Sequence, residues 1–177
     1  MQSGTEMPFF IKPSVTLSAE DKILAYNQLS EAVNLQLADE EDDILKMATF
    51  NALAKTYLPY FYWVGFYRVN NGKLSVGPYQ GTTGCLHIEF SKGVCGKVAR
   101  ERKTCLVIDT HELVEGTEHI TCDAHSRSEI VVPVFNKTGE LLAVLDVDST
   151  EKGAFDATDA TFLEAIMRRL FGSLPVT

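Results

Sequence analysis

The sequence predicts one α+β domain in which helices pack on a central antiparallel sheet of about six strands. Three observations predict it. The chain has 177 residues, 45% of them apolar, which suits a single domain whose core needs no disulfide or metal to stay folded. Apolar residues recur at helical spacing near both ends of the chain and alternate in between. Hairpin turn sequences separate the alternating segments, and hairpins favour antiparallel pairing.

Two helices are predicted before Pro59 and one at the end of the chain. Ser18 is typical of an N-cap because an acidic residue follows three positions later, and apolar residues then recur at helical spacing. The acidic run Asp39–Asp43 suits the first turn of the second helix, where carboxylates meet the positive end of the helix dipole. Phe155–Phe171 has the pattern of a closing helix, with its cap near Thr158 or Asp156.

The middle of the chain predicts the strands. Phe61–Val69 is rich in aromatic and β-branched residues and predicts a strand, and Asn70-Asn71-Gly72 is typical of a hairpin turn. Leu74–Val76 predicts the second strand of this hairpin, which we expect to end at Gly77-Pro78. A short helix and a long polar loop interrupt the later strands. The remaining predicted segments are the strands Cys85–Phe90, Cys105–Ile108, Ser128–Phe135 and Leu141–Val147, the helix Val94–Glu101 and the loop Asp109–Asp123.

Charge and apolar runs exclude several classes of function. The net charge is −8, and an acidic chain without a Lys/Arg cluster is a poor partner for nucleic acid or an anionic membrane surface. No apolar run approaches the roughly 18 residues of a membrane span, and the first 15 residues lack the pattern of a signal peptide. We therefore expect a cytoplasmic protein with an N-terminal tail, residues 1–15, and one domain, residues 16–177.

An aromatic strand is the first candidate for a binding surface. Trp63, Gly65 and Tyr67 share one face of the predicted strand, because side chains alternate along a strand. Two aromatic rings thus flank a position without a side chain, and a glycine within a strand often marks the close approach of a ligand or of another backbone. Packing of the aromatic rings in the core is the alternative that this stretch alone favours.

Three acidic residues lie at the ends of predicted apolar strands. Asp146 and Asp148 share a face at the end of one strand, and Glu129 opens another. Neighbouring carboxylates in an apolar setting need a cation, hydrogen-bond donors or a shared proton, and a bound ammonium group is one such partner. A carboxyl with a raised pKa also suits a proton donor. Exposed strand ends are the alternative interpretation.

The four cysteines lie between residues 85 and 122. Cys122 stands in the long polar loop, where a free cysteine is less expected than in a core. Cys95 stands at the start of the short helix, a position that stabilises a thiolate, whereas Cys105 has the apolar neighbours of a core cysteine. Their spacing lacks a C-x₂-C pair, and no nucleotide-binding motif is present. The sequence therefore predicts neither a metal site nor a bound cofactor.

Taken together, these segments resemble the free methionine-(R)-sulfoxide reductases, which are built on a GAF domain. Each motif alone is weak, but their shared order is specific. The resemblance runs from about Trp63 to Leu170, and the two N-terminal helices are compatible with it. The motifs that carry it are Trp63-Val64-Gly65-Phe66-Tyr67, Gly77-Pro78-Tyr79-Gln80-Gly81, Gly93-Val94-Cys95-Gly96, His119-Ile120-Thr121-Cys122-Asp123, Ser128-Glu129-Ile130-Val131-Val132-Pro133 and Leu145-Asp146-Val147-Asp148-Ser149.

The resemblance implies a set of roles. Cys122 is the expected nucleophile, Cys95 the resolving thiol, and Cys85 a further cysteine that can also form a disulfide with the nucleophile. Which of the two resolves stays open at this point. The resemblance also implies a homodimer that acts on the free amino acid and is recycled by a thioredoxin-like dithiol, ultimately from NADPH. The expected substrate pocket consists of two aromatic residues, Trp63 and Tyr67, and three acids, Glu129, Asp146 and Asp148.

The chemistry of the residues agrees with this expectation. A thiolate can attack the sulfur of a sulfoxide whose oxygen is protonated or strongly hydrogen-bonded, which leaves a sulfenic acid on Cys122. A second cysteine then forms a disulfide, and an external dithiol reduces it. The sequence does not decide which acid protonates the oxygen. The alternative hypothesis is a GAF module that senses a ligand without catalysis.

Overall fold

The structure is a computed structural model, and it describes residues 13–113, 118, 120 and 122–172. The described chain contains four helices, six strands and a short 3₁₀ turn at Thr110–Glu112. The helices are α1 (Ala19–Leu37), α2 (Asp43–Tyr57), α3 (Gly93–Glu101) and α4 (Ala157–Phe171), and the strands are β1 (Trp63–Asn70), β2 (Lys73–Gln80), β3 (His87–Glu89), β4 (Cys105–Val107), β5 (Ser128–Phe135) and β6 (Leu141–Ser149).

The six strands form one sheet in the order β3-β2-β1-β6-β5-β4. Every neighbouring pair is antiparallel, which confirms the predicted fold class. The long strands β1, β5 and β6 lie at the centre, and the three-residue strands β3 and β4 form the edges. Short edge strands leave few unpaired backbone groups for another chain to pair with.

One face of the sheet carries the larger core. Helices α1, α2 and α4 pack there against apolar side chains of the central strands, among them Phe66, Ile130 and Leu145. The predicted caps are confirmed in the structure. The hydroxyl of Ser18 accepts a hydrogen bond from the backbone of Asp21, and Asp156 forms a capping box at the start of α4. These caps satisfy backbone N–H groups that the helices themselves leave without partners.

A buried ion pair joins the first and last helices on that face. The ammonium group of Lys22 lies 2.7 Å from the carboxylate of Asp159, whose side chain is fully buried. The hydroxyls of Tyr26 and Tyr60 donate hydrogen bonds of 2.8 and 2.7 Å to the other oxygen of this carboxylate. A buried charge is tolerated only when it is paired and hydrogen-bonded in this way. The network fixes α1 against α4.

The opposite face carries a smaller cluster, covered by α3 and by loops. Trp63 and Tyr67 of β1, Val131 of β5 and Val144 of β6 pack there with Cys95. The predicted aromatic and acidic residues of β1, β5 and β6 point to this same face. The site described below therefore lies on the α3 face.

Several predicted boundaries were wrong. Strand β2 continues through Gly77-Pro78 to Gln80, because the pairing of β1 with β2 shifts register between Gly65 and Tyr67, and a proline is tolerated where such a bulge leaves its nitrogen out of the ladder. Strand β3 is shorter than predicted, and β6 is longer, so that Asp148 lies within the strand.

The tail and the loop are described only in part. Of the predicted tail, residues 1–12 lie outside the described residues, while Ser14 exchanges hydrogen bonds of 2.9 and 3.0 Å with Thr150. The boundary between tail and domain at residue 15 stays a prediction. Within the predicted loop Asp109–Asp123, residues 114–117, 119 and 121 lie outside the described residues. No helix in the described part of the chain is long and apolar enough to cross a membrane.

Candidate active site

Three carboxyl groups form the floor of a pocket on the α3 face. Strand pairing places Asp148 opposite Glu129 on one side and opposite Trp63 on the other. Asp146, two residues earlier, points to the same face and lies opposite Gly65. Glu129 and Asp146 are 5% and 7% exposed, so the alternative of exposed strand ends does not apply to them.

Burial governs the protonation of these acids. It raises the pKa of Asp146 to about 6, although hydrogen bonds from Glu129 and Cys95 stabilise the carboxylate and lower this pKa. Burial also raises the pKa of Glu129, and the nearby charges of Asp146 and Asp148 raise it further. The pKa of Asp148 is raised by burial and by Asp146, although the hydroxyl of Ser126 donates a hydrogen bond to it. At pH 7 Asp146, whose pKa is about 6, is ionised, and the pKa values of its two neighbours are shifted toward the protonated form.

Stacked aromatic rings form one wall of the pocket. The ring of Trp63 stacks on Tyr79 at 5.3 Å and on Tyr67 at 5.9 Å between centroids. The indole N–H of Trp63 donates a hydrogen bond of 2.8 Å to the carbonyl oxygen of Thr82. This bond fixes the orientation of the ring, so the wall is formed before any ligand binds.

Gly65 makes room for this stack. A Cβ atom at Gly65 would lie 2.3 Å from the Cβ of Tyr79 and 2.7 Å from Cη2 of Trp63. Both distances are far below van der Waals contact. The sequence predicted the close approach of a ligand or another backbone at Gly65, and the structure places the side chains of Tyr79 and Trp63 there instead.

The cysteines take different places around the pocket. Cys122 is exposed and forms a disulfide with Cys85, 37 residues away in the chain, with 5.4 Å between their Cα atoms. Cys95 and Cys105 are free thiols. Cys95 is buried in the first turn of α3, and Cys105 is half-buried on the edge strand β4.

The helix start does not activate Cys95. Burial raises the pKa of its thiol well above the ordinary value, and the nearby acidic groups of Asp146, Glu129 and Asp148 raise it further. The sequence predicted the opposite, because it showed the helix N-terminus but not the acids that the sheet brings beside it. Cys95 is a neutral thiol that donates a hydrogen bond to Asp146.

The pocket is small. Its volume is about 50 Å³, room for a few water molecules at roughly 10–15 Å³ each. Carboxyl groups, aromatic rings and cysteine sulfur all reach it. Its main lining residues are Trp63, Tyr67, Cys95, Ile120, Cys122, Asp123, Ser126, Glu129, Asp146 and Asp148.

Comparisons with known proteins agree with this arrangement. The GAF domain family matches residues 38–170. The free methionine-R-sulfoxide reductase of Escherichia coli K12 is 34% identical over 152 residues, which cover 86% of this chain and 90% of that protein. This chain belongs to the free methionine-R-sulfoxide reductase family of GAF domains.

Solved structures extend the likeness to the fold. The free methionine-R-sulfoxide reductase from Neisseria meningitidis, in complex with its substrate, has a TM-score of 0.79 and 36% identity, covering 90% of this chain and 93% of that one. A protein described as a GAF sensor, from Burkholderia vietnamiensis, has a TM-score of 0.78 and 40% identity, covering 85% and 93%. The fold is thus shared by proteins named as reductases and by one named as a sensor.

The structure brings the predicted reductase-family residues together. Seven of them line one pocket, and Cys85 joins it through its bond to Cys122. Cys105, which lies outside the family pattern, lies outside the pocket as well. The residues that line the pocket are Trp63, Tyr67, Cys95, Cys122, Glu129, Asp146 and Asp148.

Sequence reasoning missed the residues that hold the loop beside Cys122. The carboxylate of Asp123 accepts hydrogen bonds from Thr82 at 2.5 Å, from Tyr62 at 2.7 Å and from the backbone N–H of His125 at 2.9 Å. Burial alone would raise the pKa of Asp123, but these bonds outweigh it and hold the pKa at about 2. The Asp-x-His spacing, typical of an Asx turn, was the available signal.

Proposed function

We propose that this protein reduces free L-methionine (R)-sulfoxide to L-methionine, with Cys122 as the nucleophile and Cys85 as the resolving thiol. One observation carries the proposal. Cys122 lines a pocket with a floor of three carboxyl groups and is already bonded to Cys85. Cys95 is buried and hydrogen-bonded to Asp146 instead, which favours Cys85 between the two candidates that the sequence left open.

The substrate's two ends match the two surfaces of the pocket. The indole of Trp63 offers an apolar face to the S-methyl group. The carboxylate of Asp146 offers a charge-assisted hydrogen bond to the ammonium group. Glu129, whose pKa is raised well above its ordinary value by burial and by the nearby acids, offers a proton to the sulfoxide oxygen.

The reaction proceeds in two steps at sulfur. The Cys122 thiolate attacks the sulfoxide sulfur while Glu129 protonates the oxygen; the oxygen is transferred to Cys122 as a sulfenic acid, and methionine leaves, reduced by two electrons. The Cys85 thiolate then attacks the Cys122 sulfur, and hydroxide leaves as water with a proton from Glu129 or solvent. The product is the Cys85–Cys122 disulfide.

The cycle closes with an external reductant. A thioredoxin-like dithiol, itself reduced from NADPH, exchanges with the disulfide and restores both thiols. The exposure of Cys122 supports attack by a partner protein at this sulfur. A cytoplasmic homodimer is part of the proposal, on the resemblance and on the redox compartment that keeps thiols reduced.

A ligand-sensing GAF module is the second candidate, favoured by the likeness to the Burkholderia vietnamiensis protein described as a sensor. Such a module would bind a small zwitterion in the same pocket without chemistry. A disulfide between two residues at that pocket has no task in simple sensing, so the reductase is the better supported function.

The test is turnover with defined substrate epimers. NADPH consumption with a thioredoxin system is measured for wild type and Cys122→Ser, with free methionine (R)-sulfoxide and, separately, the (S) epimer. We expect turnover of the (R) form alone, and none with Cys122→Ser. Methionine release with dithiothreitol replaces the coupled assay if the thioredoxin is the wrong partner. If methionine is not released there either, the catalytic proposal fails and sensing becomes the leading account.

A further inference from the structure

Three potential metal ligands meet at the floor of the pocket. One ligand atom each from Cys95, Glu129 and Asp146 lies within 4.8 Å of the other two, and all three residues are buried. They come from α3, β5 and β6, so their meeting depends on the packing of the helix on the sheet. Cysteine spacing along the chain could not indicate this cluster.

The donor set fits one class of ion. Cysteine sulfur with carboxylate oxygen suits Zn²⁺ and related thiophilic cations, and not Mg²⁺ or Ca²⁺, which prefer oxygen alone. Ligand atoms on a tetrahedral Zn²⁺ are separated by roughly 3.3 to 3.8 Å, given its usual bond lengths. The 4.8 Å upper bound exceeds these separations by about 1.0 to 1.5 Å, so binding draws the three ligand atoms together by at most that distance. All three residues line the pocket, so a bound ion would occupy part of it.

A second observation points to a missing partner. The Oδ1 atom of Asp146 is buried and accepts no hydrogen bond from the described residues, although the side chain is more than nine-tenths buried. A buried carboxylate oxygen without a partner is costly. This oxygen belongs to a residue that lines the pocket, so an ion bound there can satisfy it.

We propose that Cys95, Glu129 and Asp146 form a binding site for Zn²⁺ that blocks the pocket. The ion binds as an inhibitor and not as a cofactor. On binding, the Cys95 thiol releases its proton to solvent, as does any ligand carboxyl that carries one, and no electron is transferred. The inhibitory consequence rests on the proposed reductase function; the binding itself does not.

The test uses Cd²⁺ as the probe on the oxidised protein. With Cys85 and Cys122 joined in a disulfide, Cys95 and Cys105 are the remaining thiols. Cd²⁺ bound to a thiolate gives a charge-transfer band in the ultraviolet, which is titrated in wild type, Cys95→Ser and Cys105→Ser. The serine in Cys95→Ser can still donate a hydrogen bond to Asp146, so this variant is expected to fold; circular dichroism checks it.

The expected result is a saturable band in wild type and Cys105→Ser that is lost in Cys95→Ser. Asp146→Asn keeps the thiol and weakens binding at least tenfold, since loss of even an outer partner of a metal ligand costs about 10–100-fold in affinity. No band in wild type, or a band that depends on Cys105, overturns the inference. Because this assay reads binding without turnover, its failure leaves the reductase proposal intact, and failed methionine release leaves the metal site intact.

Discussion

The thiol of Cys95 donates a hydrogen bond to the carboxylate of Asp146. Burial and the nearby acids raise the pKa of the thiol, and the contact that stabilises the carboxylate raises it further. Cys122, by contrast, is exposed and bonded to Cys85. Two cysteines of one pocket thus have opposite properties, one suited to hydrogen bonding and the other to exchange.

Substitution at Cys95 separates these two properties. We expect Cys95→Ser to keep steady-state turnover, because serine can donate the same hydrogen bond and Cys85 resolves the sulfenic acid. Cys95→Ala loses the bond and raises KM about tenfold, the effect of about 1.5 kcal/mol for a hydrogen bond to a charged group. Methionine release with thioredoxin measures both variants. Loss of turnover in Cys95→Ser with a single round of methionine release retained would make Cys95 the resolving thiol instead.

Activity depends on the ionisation of Asp146. Its pKa is raised to about 6, so the carboxylate that binds the ammonium group is present above pH 6 and is lost as the pH falls through 6. We expect kcat/KM to fall by about tenfold per pH unit on the acidic side. The measurement is the pH profile of kcat/KM with free methionine (R)-sulfoxide from pH 4.5 to 8.

Asp146→Asn is the control for that profile. Asparagine cannot ionise, so the kcat/KM of this variant should be lower but should not fall further as the pH drops through 6. If kcat/KM of Asp146→Asn still falls as the pH drops through 6, the assignment of that fall to Asp146 is wrong.

The effect of Asp146→Asn on stability has a definite sign. The acid's pKa is higher when folded than when unfolded, so the folded state is stabilised below pH 3.8 and loses that stability as the pH rises through 6. The free energy of unfolding of Asp146→Asn minus that of wild type is therefore more favourable to the variant at pH 7 than at pH 4.

The aromatic wall depends on the absence of a side chain at Gly65. The Cβ of Gly65→Ala would lie 2.3 Å from Tyr79 and 2.7 Å from Trp63, so the ring stack must move. We expect a loss of about 1–3 kcal/mol in the free energy of unfolding, typical of overpacking, and a raised KM. Chemical denaturation and steady-state kinetics measure the two effects.

Gly84→Ala is a graded control at the same wall. Its nearest neighbours would be the Tyr67 hydroxyl at 3.0 Å and Trp63 Cζ2 at 3.1 Å, so small shifts suffice. We expect a smaller loss of stability than at Gly65. Equal effects of the two variants would show that space beside the ring stack does not decide the outcome.

The ion pair of Lys22 and Asp159 is expected to dominate the docking of α1 on α4. Asp159→Asn leaves the buried ammonium group of Lys22 without its buried counter-charge, which costs about 3–5 kcal/mol. Asp156→Asn is the matched control, because Asp156 is 57% exposed in its pair with Lys22 and asparagine caps a helix as well as aspartate does. Thermal unfolding of both variants measures the difference. Equal melting temperatures would contradict the assigned role.

Local pattern was sufficient for most of the fold. The helix starts at Ser18 and Asp156 and the hairpin at Asn70–Gly72 follow from interactions within a few residues, so the sequence displays them directly. The end of β2 was wrong because its continuation through Gly77-Pro78 depends on a register shift against β1, and no property of the dipeptide itself shows it.

The sequence by itself determined the helix caps, the strand periods and the identity of the acidic, aromatic and cysteine residues. Each of these depends on neighbours along the chain. Only the tertiary structure decided that Cys122 pairs with Cys85, that Cys95 is a buried neutral thiol, and that Asp123 holds the loop. These properties depend on burial and on charges from strands distant in sequence, because a pKa or a bond between sulfurs is set by what lies nearby in space.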